Sequence, residues 1–257
     1  MLLLVGVLQA QITDPKATEV WEPIPPKVTA GIYHAPPSDA IVLFDGKDLS
    51  KWRSPKYAYG GSMKDVKEVL AKKLAHLEEG KEAGWEVKDG AMIVVPGSGA
   101  IETKQRFGDC QLHIEWLSPY DPGKKDQQYS NSGIFLMSMY EIQVLNSYEN
   151  QTYPNGQAGA VYKQHIPLVN ASRPPGEWQS YDIVFNAPRF KEDGSLQRPA
   201  TLTVFHNGVL IQNNVELKGP AIYIGHPHYI PHPEKMPLIL QDHGDKVRFR
   251  NIWIREL

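Results

Sequence analysis

In the segment YEIQVLNSY, residues 140–148, a carboxylate and an amide are set into an apolar run. Side chains alternate between faces of an extended chain, so Tyr140, Ile142 and Val144 share one face while Glu141 and Gln143 share the other. The same spacing of two recurs in His113 and Glu115 of QLHIEW, Gln241 and His243 of LILQDH, and Arg248 and Arg250 of VRFRN, and His206 precedes the Asn207-Gly208 turn. If these strands are neighbours, acids, amides, imidazoles and guanidinium groups line one concave sheet surface. Such a surface suits sugar hydroxyls, which need planar donors and acceptors, with rings such as Trp178, Tyr162 and Tyr148 against the apolar side of the sugar. A half-solvated strand with a wet outer face gives the same alternation without chemistry.

A carboxylate in such a groove becomes a general acid or base when partial burial raises its pKa. Retaining glycosidases place two carboxyl groups about 5 Å apart, and on sandwich folds these commonly come from one ExDxxE-like strand. Here Gln143 follows Glu141 at the position where a second acid is expected. The segment IGHPHYIPHPEKMP gathers His226, His228 and His232, and imidazole suits zinc or copper. Its prolines at 227, 231 and 233 describe a rigid surface loop instead, and neither a cysteine nor a helical HxxxH pattern accompanies it. No phosphate-cradling glycine loop and no GxSxG nucleophile motif is present. The single cysteine, Cys110, excludes an internal disulfide and reads as a small core residue beside Leu112, Ile114 and Trp116.

These side chains must be positioned by strands. GWEVKDGAMIVV, FGDCQLHIEWLS, SGIFLMSMYEIQVL, EWQSYDIVFNAP, ATLTVFHNGVLIQNN and MPLILQDHGDKVRFRNIWIREL are short alternating segments bounded by turn residues, with Lys88-Asp89-Gly90 marking a tight hairpin. With almost no helix between them, they predict an all-β, two-sheet antiparallel sandwich or jelly roll rather than a βαβ fold. One amphipathic helix is predicted over 62–79, where Met63, Val66, Leu70, Leu74 and Leu77 recur at helical spacing, Gly80 can end it, and the Lys and Glu residues form a solvated face. Residues 11–39 are Pro-rich and aperiodic and should lie as an extended leader on a single domain spanning 40–257. The stretch MLLLVGVLQA, residues 1–10, is too short to span a bilayer and reads as a secretion signal lacking its basic start, which implies a periplasmic or secreted bacterial protein. At 257 residues, 41% hydrophobic, the chain can bury a full core, and 27 basic against 29 acidic residues leave no basic stripe for nucleic acid or an anionic membrane.

Several of these segments occur together in one known family. FDGKDLSKW, WEVKDG, TKQRFGD, NSGIF, YEIQVLNS, GAVY, GEWQSYDI, the HNG turn, PLILQDHG and VRFRNIWI together resemble the 3-keto-disaccharide hydrolase domain family, of concanavalin-like lectin/glucanase fold, from Ile41 to Leu257. The helix at 62–79 then stands as an insertion. The resemblance implies cleavage of glycosides oxidised at C3 of the sugar. A ketone there acidifies the C2 proton, so a base can remove it, the enolate can expel the C1 substituent, and water can add to the enone. One acid then suffices. On this reading Glu141 leads as acid/base with His243 second, Arg248 and Gln143 bind the substrate or its developing oxyanion, Asn131 and Gln241 orient hydroxyls, Tyr162, Trp178 and His206 add binding contacts, and Glu102 stands in reserve. No cofactor is assigned with certainty, and a divalent metal in place of Arg248 stays open. A non-catalytic carbohydrate-binding module of the same fold and a conventional glucanase-type hydrolase are the competing readings. The expected partner is a carbohydrate substrate, with no nucleic acid and no membrane span; oligomeric state is not legible.

Overall fold

The computed structural model describes residues 13–58 and 66–257. The proposed signal segment therefore lies outside the described residues, as do residues 62–65 of the predicted helix. The eight-stranded sheet runs β14 (Val209–Glu216), β13 (Thr201–His206), β10 (Trp178–Asn186), β7 (Cys110–Leu117), β16 (Arg248–Glu256), β5 (Ala91–Ile93), β4 (Glu86–Lys88), with β1 (Ile41–Phe44) on the far half of β16. The six-stranded sheet runs β3 (Gly80–Glu82), β2 (Trp52–Pro55), β6 (Ile101–Phe107), β15 (Met236–Leu240), β8 (Ser132–Leu136), β9 (Tyr140–Val144), and β11 (Arg189–Phe190) with β12 (Leu196–Arg198) makes a separate ribbon. Every strand pair is antiparallel. The architecture is the two-sheet antiparallel β-sandwich expected from the alternating segments.

Local sequence sets the turns. Asp89 and Gly90 both take positive φ, 53° and 72°, between Lys88 and Ala91, and Asn207 and Gly208 do the same at 52° and 80° between His206 and Val209. Two consecutive left-handed residues make the tight hairpin whose twist matches that of the strands. Alternation sets the core. Tyr140, Ile142 and Val144 are buried between the sheets, Tyr140 packing on Phe185 of the opposite sheet with ring centres 5.6 Å apart. Cys110 is a core residue, and burial pushes its thiol up to about 12.

The described helix, α1 (Val66–Ala75), stops before Gly80, which already belongs to β3. Val66, Leu70 and Leu77 are buried, as the periodicity predicts. The solvated face is the exception: Lys73 is fully buried and pairs with Glu102 of β6. Burial pulls its pKa down, and the Glu102 carboxylate opposes that pull. The Pro-rich leader crosses the outer face of the eight-stranded sheet, where the His34 carbonyl accepts from Asn251 Nδ2 at 3.1 Å and Trp253 Nε1 at 3.0 Å, and Arg255 Nε donates to Asp39 Oδ2 at 2.5 Å. Among the described residues no helix is long and apolar enough to cross a membrane.

Candidate active site

Paired residues on neighbouring strands share a face, so the register shows which side chains meet. Ile101, Leu240, Ile134 and Ile142 form one row across the six-stranded sheet and all belong to the core. By alternation the adjacent row, Arg53, Glu102, Ile239, Phe135 and Glu141, points to the outer face of this sheet, where Ile239, Phe135 and Glu102 are nonetheless fully buried. Tyr162 extends it, because residues 159–162 return along the free edge of β9, with Tyr162 N donating to Glu141 O at 3.2 Å and Val161 bridging Ile142. One step along the strands, Gln241, Gly133 and Gln143 make the next outer row, Gln241 N donating to Gly133 O at 3.0 Å.

Glu141 is 5% exposed, and its carboxyl group has no hydrogen-bond or ionic partner among the described residues. Burial alone pushes its pKa up to about 8. Beside it Gln143 donates through Nε2 to Asn131 Oδ1 at 3.2 Å, while its Oε1 is buried without a partner among the described residues. Asn131 is fixed in turn, donating from Nδ2 to Gln127 O at 2.8 Å and from its backbone N to Asp245 Oδ2 at 2.9 Å. Gly133 is required where it is: a Cβ there would sit 2.7 Å from Glu141 Oε1 and 2.7 Å from a Phe135 ring carbon. A carboxyl held near neutral pKa beside an amide oxygen with an open lone pair is an arrangement that a polar ligand can complete.

The structure thus brings Glu141, Gln143, Asn131, Gln241 and Tyr162 to one face. His243 is exposed in the turn that follows Gln241. Three other expected site residues lie elsewhere, and a fourth is already paired. Arg248 is on the outer face of the eight-stranded sheet, across the core from Glu141: its neighbour Phe249 points inward against Trp85, while Arg248 itself faces Asp89 at 3.9 Å. The spacing of two was read correctly within each strand, but the two sheets present opposite outer faces, and periodicity cannot say which strand joins which sheet. Trp178 is on that same far face, under the Arg250 guanidinium at 4.0 Å. His206 is a core histidine packed on Trp116 and Tyr181, with Nε2 3.2 Å from Gln179 Oε1, and burial lowers its pKa to about 3. Glu102 shares the outer row with Glu141 but is fully buried in a triad with Arg53 Nε at 3.0 Å and the Lys73 ammonium, so its charge is already matched.

Sequence reasoning passed over Tyr153, Lys163 and Tyr223, which adjoin Tyr162. The Tyr153 and Tyr162 hydroxyls are 3.0 Å apart, and the Lys163 ammonium lies 4.0 Å from the Tyr223 ring centre and donates to Tyr223 O at 2.6 Å. These residues sit in irregular segments with no period to mark them; the Tyr-Lys pair at 162–163 beside the GAVY motif was the available signal. Among the described residues, the one group with metal-ligand spacing is His34, His113 and Asp182 on the far face, its ligand atoms within 4.8 Å of one another. Asp182 Oδ1 accepts from His113 Nδ1 at 2.7 Å, and Glu115 and Asn251 face its Nε2 at 3.7 and 3.3 Å. Both ring nitrogens are engaged; burial alone would favour the neutral ring, but the bonds to Asp182 and Glu115 raise its pKa, so the ring is a poor ligand. In the proline-rich loop, His226 and His228 are exposed, while His232 Nε2 lies 2.7 Å from the Tyr140 hydroxyl.

Residues 39–255 match the model of the 3-keto-alpha-glucoside-1,2-lyase-like domain. The chain belongs to that family. It is similar to a solved candidate glycosyl hydrolase of Parabacteroides distasonis ATCC 8503, with 47% identity, 95% of this chain and 97% of that chain covered, and a TM-score of 0.81. A second candidate glycosyl hydrolase of the same organism, 19% identical with 85% and 94% covered and a TM-score of 0.57, shares the fold. No curated protein matches the chain. Membership of this family makes the protein a glycoside-acting enzyme whose fold is that of the 3-keto-disaccharide hydrolases.

Proposed function

We propose that the protein cleaves the glycosidic bond of 3-keto-glycosides, such as 3-keto-glucosides and 3-keto-disaccharides, and that Glu141 moves the C2 proton. The observation that carries this reading is a carboxyl group pushed to about 8 by burial alone, with the other acid of its row, Glu102, locked in an ion triad. A conventional retaining hydrolase needs a second free carboxylate about 5 Å away, and Gln143 stands next to Glu141 instead. Elimination needs a single base of pKa near the working pH, where proton removal is both available and favourable.

In this scheme the ionised Glu141 takes the C2 proton and the electron pair passes to the C3 oxygen. The enolate returns that pair, the C1–O bond breaks, and the aglycone oxygen leaves with the proton that Glu141 took, which restores the carboxylate. Water then adds its oxygen to C1 of the enone and a proton to C2, giving the free 3-keto sugar, so the net change is hydrolysis. Gln143 and Gln241, which flank Gly133 in one row, bind hydroxyls in this scheme, and Asn131 holds the Gln143 amide in orientation. Residues 1–10 support export to the periplasm or medium as part of the same reading.

The test is release of the aglycone from a 3-keto-glucoside and from its unoxidised parent by the purified protein. The proposal expects turnover of the keto substrate, with kcat/KM rising with pH and levelling above about 8 as the Glu141 carboxyl ionises. Turnover of the parent glycoside alone would overturn it.

A further inference from the structure

With Arg248 on the far face, the enolate oxygen of the proposed reaction lacks the donor that the sequence had suggested for it. Gln143 Nε2 donates to Asn131 Oδ1 and Asn131 Nδ2 to the Gln127 carbonyl, which fixes both amides in orientation, and in the proposed reaction the Gln143 and Gln241 amides go to sugar hydroxyls. The Lys163 ammonium is tied to the Tyr223 carbonyl and ring. Beside Glu141 there is also a pair of phenols. Tyr162 is aligned with Glu141 through the bond from its backbone N, which places both side chains on the outer face, and its hydroxyl lies 3.0 Å from that of Tyr153. Neither hydroxyl has another hydrogen-bond partner among the described residues. Two hydroxyls joined by one hydrogen bond use one O–H proton between them and keep the other to donate.

The surroundings keep both phenols protonated. Burial raises the pKa of each, and the nearby Glu141 charge raises both further. The Lys163 ammonium, 5.7 Å from the Tyr162 ring centre and 5.9 Å from that of Tyr153, adds positive charge where a negative oxygen would develop. Tyr162 is buried and Tyr153 lies at the exposed rim, and a neutral donor held in place by its neighbour is the kind of group that stabilises an oxyanion with little reorganisation.

On the footing of the 3-keto reading above, we propose that the Tyr153–Tyr162 hydroxyl pair is the oxyanion-binding element of this site, donating its free proton as a hydrogen bond to the C3 oxygen while Glu141 takes the C2 proton. The hydroxyl that meets the oxygen is a catalytic residue and the other is its positioning residue. No bond to tyrosine forms, and the phenolic proton stays on its oxygen.

The experiment compares Tyr162→Phe, Tyr153→Phe and the double variant in the full chain. Three readouts are used: aglycone release from a 3-keto-glucoside with a nitrophenol leaving group, release from one with an alkyl leaving group, and exchange of the C2 hydrogen in D2O. Loss of an oxyanion donor costs about 10²- to 10³-fold in kcat. That loss is expected in one single variant, equally for both leaving groups and for C2 exchange, with KM little changed, a smaller loss in the other single variant, and a double variant no worse than the poorer single by more than about tenfold. Both single variants within about threefold of the parent protein on every readout, or a loss confined to the alkyl leaving group, would overturn the inference. If the rate survives both tyrosine substitutions but is abolished by Glu141→Gln, this inference fails and the proposed function stands; a parent protein inactive on every 3-keto-glucoside removes both.

Discussion

Glu115 and Glu141 sit on the two outer faces of the sandwich, each in an alternating strand and each two residues from another polar side chain. On the eight-stranded sheet, Glu115 accepts from Arg250 Nε at 2.6 Å and from Asn251 Nδ2 at 2.8 Å, with His113 Nε2 at 3.7 Å. Burial opposes its charge, but the bonds from His113, Asn251 and Arg250 outweigh burial and hold the carboxyl at about 2. On the six-stranded sheet Glu141 has burial and no partner, and rises to about 8. HIE and EIQ look alike in a sequence. What separates them is how many donors the fold brings within reach: a satisfied acid is held in one ionisation state, whereas an unsatisfied one is free to exchange a proton with whatever enters beside it. The far face is also covered by the leader, with His34 stacked on His113 at 5.1 Å and His113 on Trp253 at 5.3 Å.

The largest expected effect separates the two acids directly. Glu141→Gln keeps shape and removes the ionisable group, so turnover of a 3-keto-glucoside should fall by about 10²- to 10⁴-fold. Glu115→Gln and Arg248→Ala should leave turnover within about threefold of the parent, and denaturant titration of Glu115→Gln should show a loss of about 1–3 kcal/mol from weakened charge-assisted bonds. A rate loss at Glu115 or Arg248 comparable to that at Glu141 would break the comparison.

Gly133→Ala gives an intermediate effect. The added methyl would press on the Glu141 carboxyl and the Phe135 ring, each 2.7 Å away. A displacement of this kind should lower kcat/KM by about tenfold or more while thermal unfolding reports about 1–3 kcal/mol of overpacking. Steady-state kinetics and a melt on the same sample separate the two contributions. A variant with parental kinetics would show that the space beside Glu141 is not used.

The smallest effects are in the pH dependence of stability, where the two acids have opposite signs. Glu141 has a folded pKa raised from 4.5 to about 8, so between those values the folded state holds more of its proton than the unfolded state does, and stability falls as pH rises through that window. Glu115 is depressed from 4.5 to about 2; its contribution is present above 4.5 and is lost as pH falls toward 2. Urea titrations across pH should show the fall between 4.5 and about 8 removed in Glu141→Gln and the fall below 4.5 reduced in Glu115→Gln. Parallel pH profiles for the parent and both variants would contradict the assignment.

Much of the fold was legible because it rests on local rules. Alternation identified β9 and its core face, and Asp89-Gly90 and Asn207-Gly208 announced their hairpins through the positive φ that such turns require. The helix was legible in its apolar spacing, but not in Lys73, whose burial depends on Glu102 from a distant strand. The site was legible only within one sheet. Glu141, Gln143, Asn131 and Gln241 come together because β8, β9 and β15 are neighbours, whereas Arg248 and Trp178 alternate just as regularly on strands of the other sheet. His206 shows the same limit, since nothing local distinguishes a strand-end histidine facing the core from one facing a ligand. Tyr153, Tyr162 and Lys163 lie in a returning loop, where chain geometry rather than period sets the side-chain direction.

The most direct measurement is a carbon-13 NMR titration of the glutamate side-chain carboxyl groups, with Glu141→Gln and Glu115→Gln used to assign the two resonances. The account predicts that the Glu141 carboxyl titrates at about 8 and that the Glu115 carboxyl stays ionised down to about 2. A Glu141 carboxyl titrating near the ordinary value of 4.5 would contradict it, because the group would then be solvated or paired and no longer poised to carry the C2 proton.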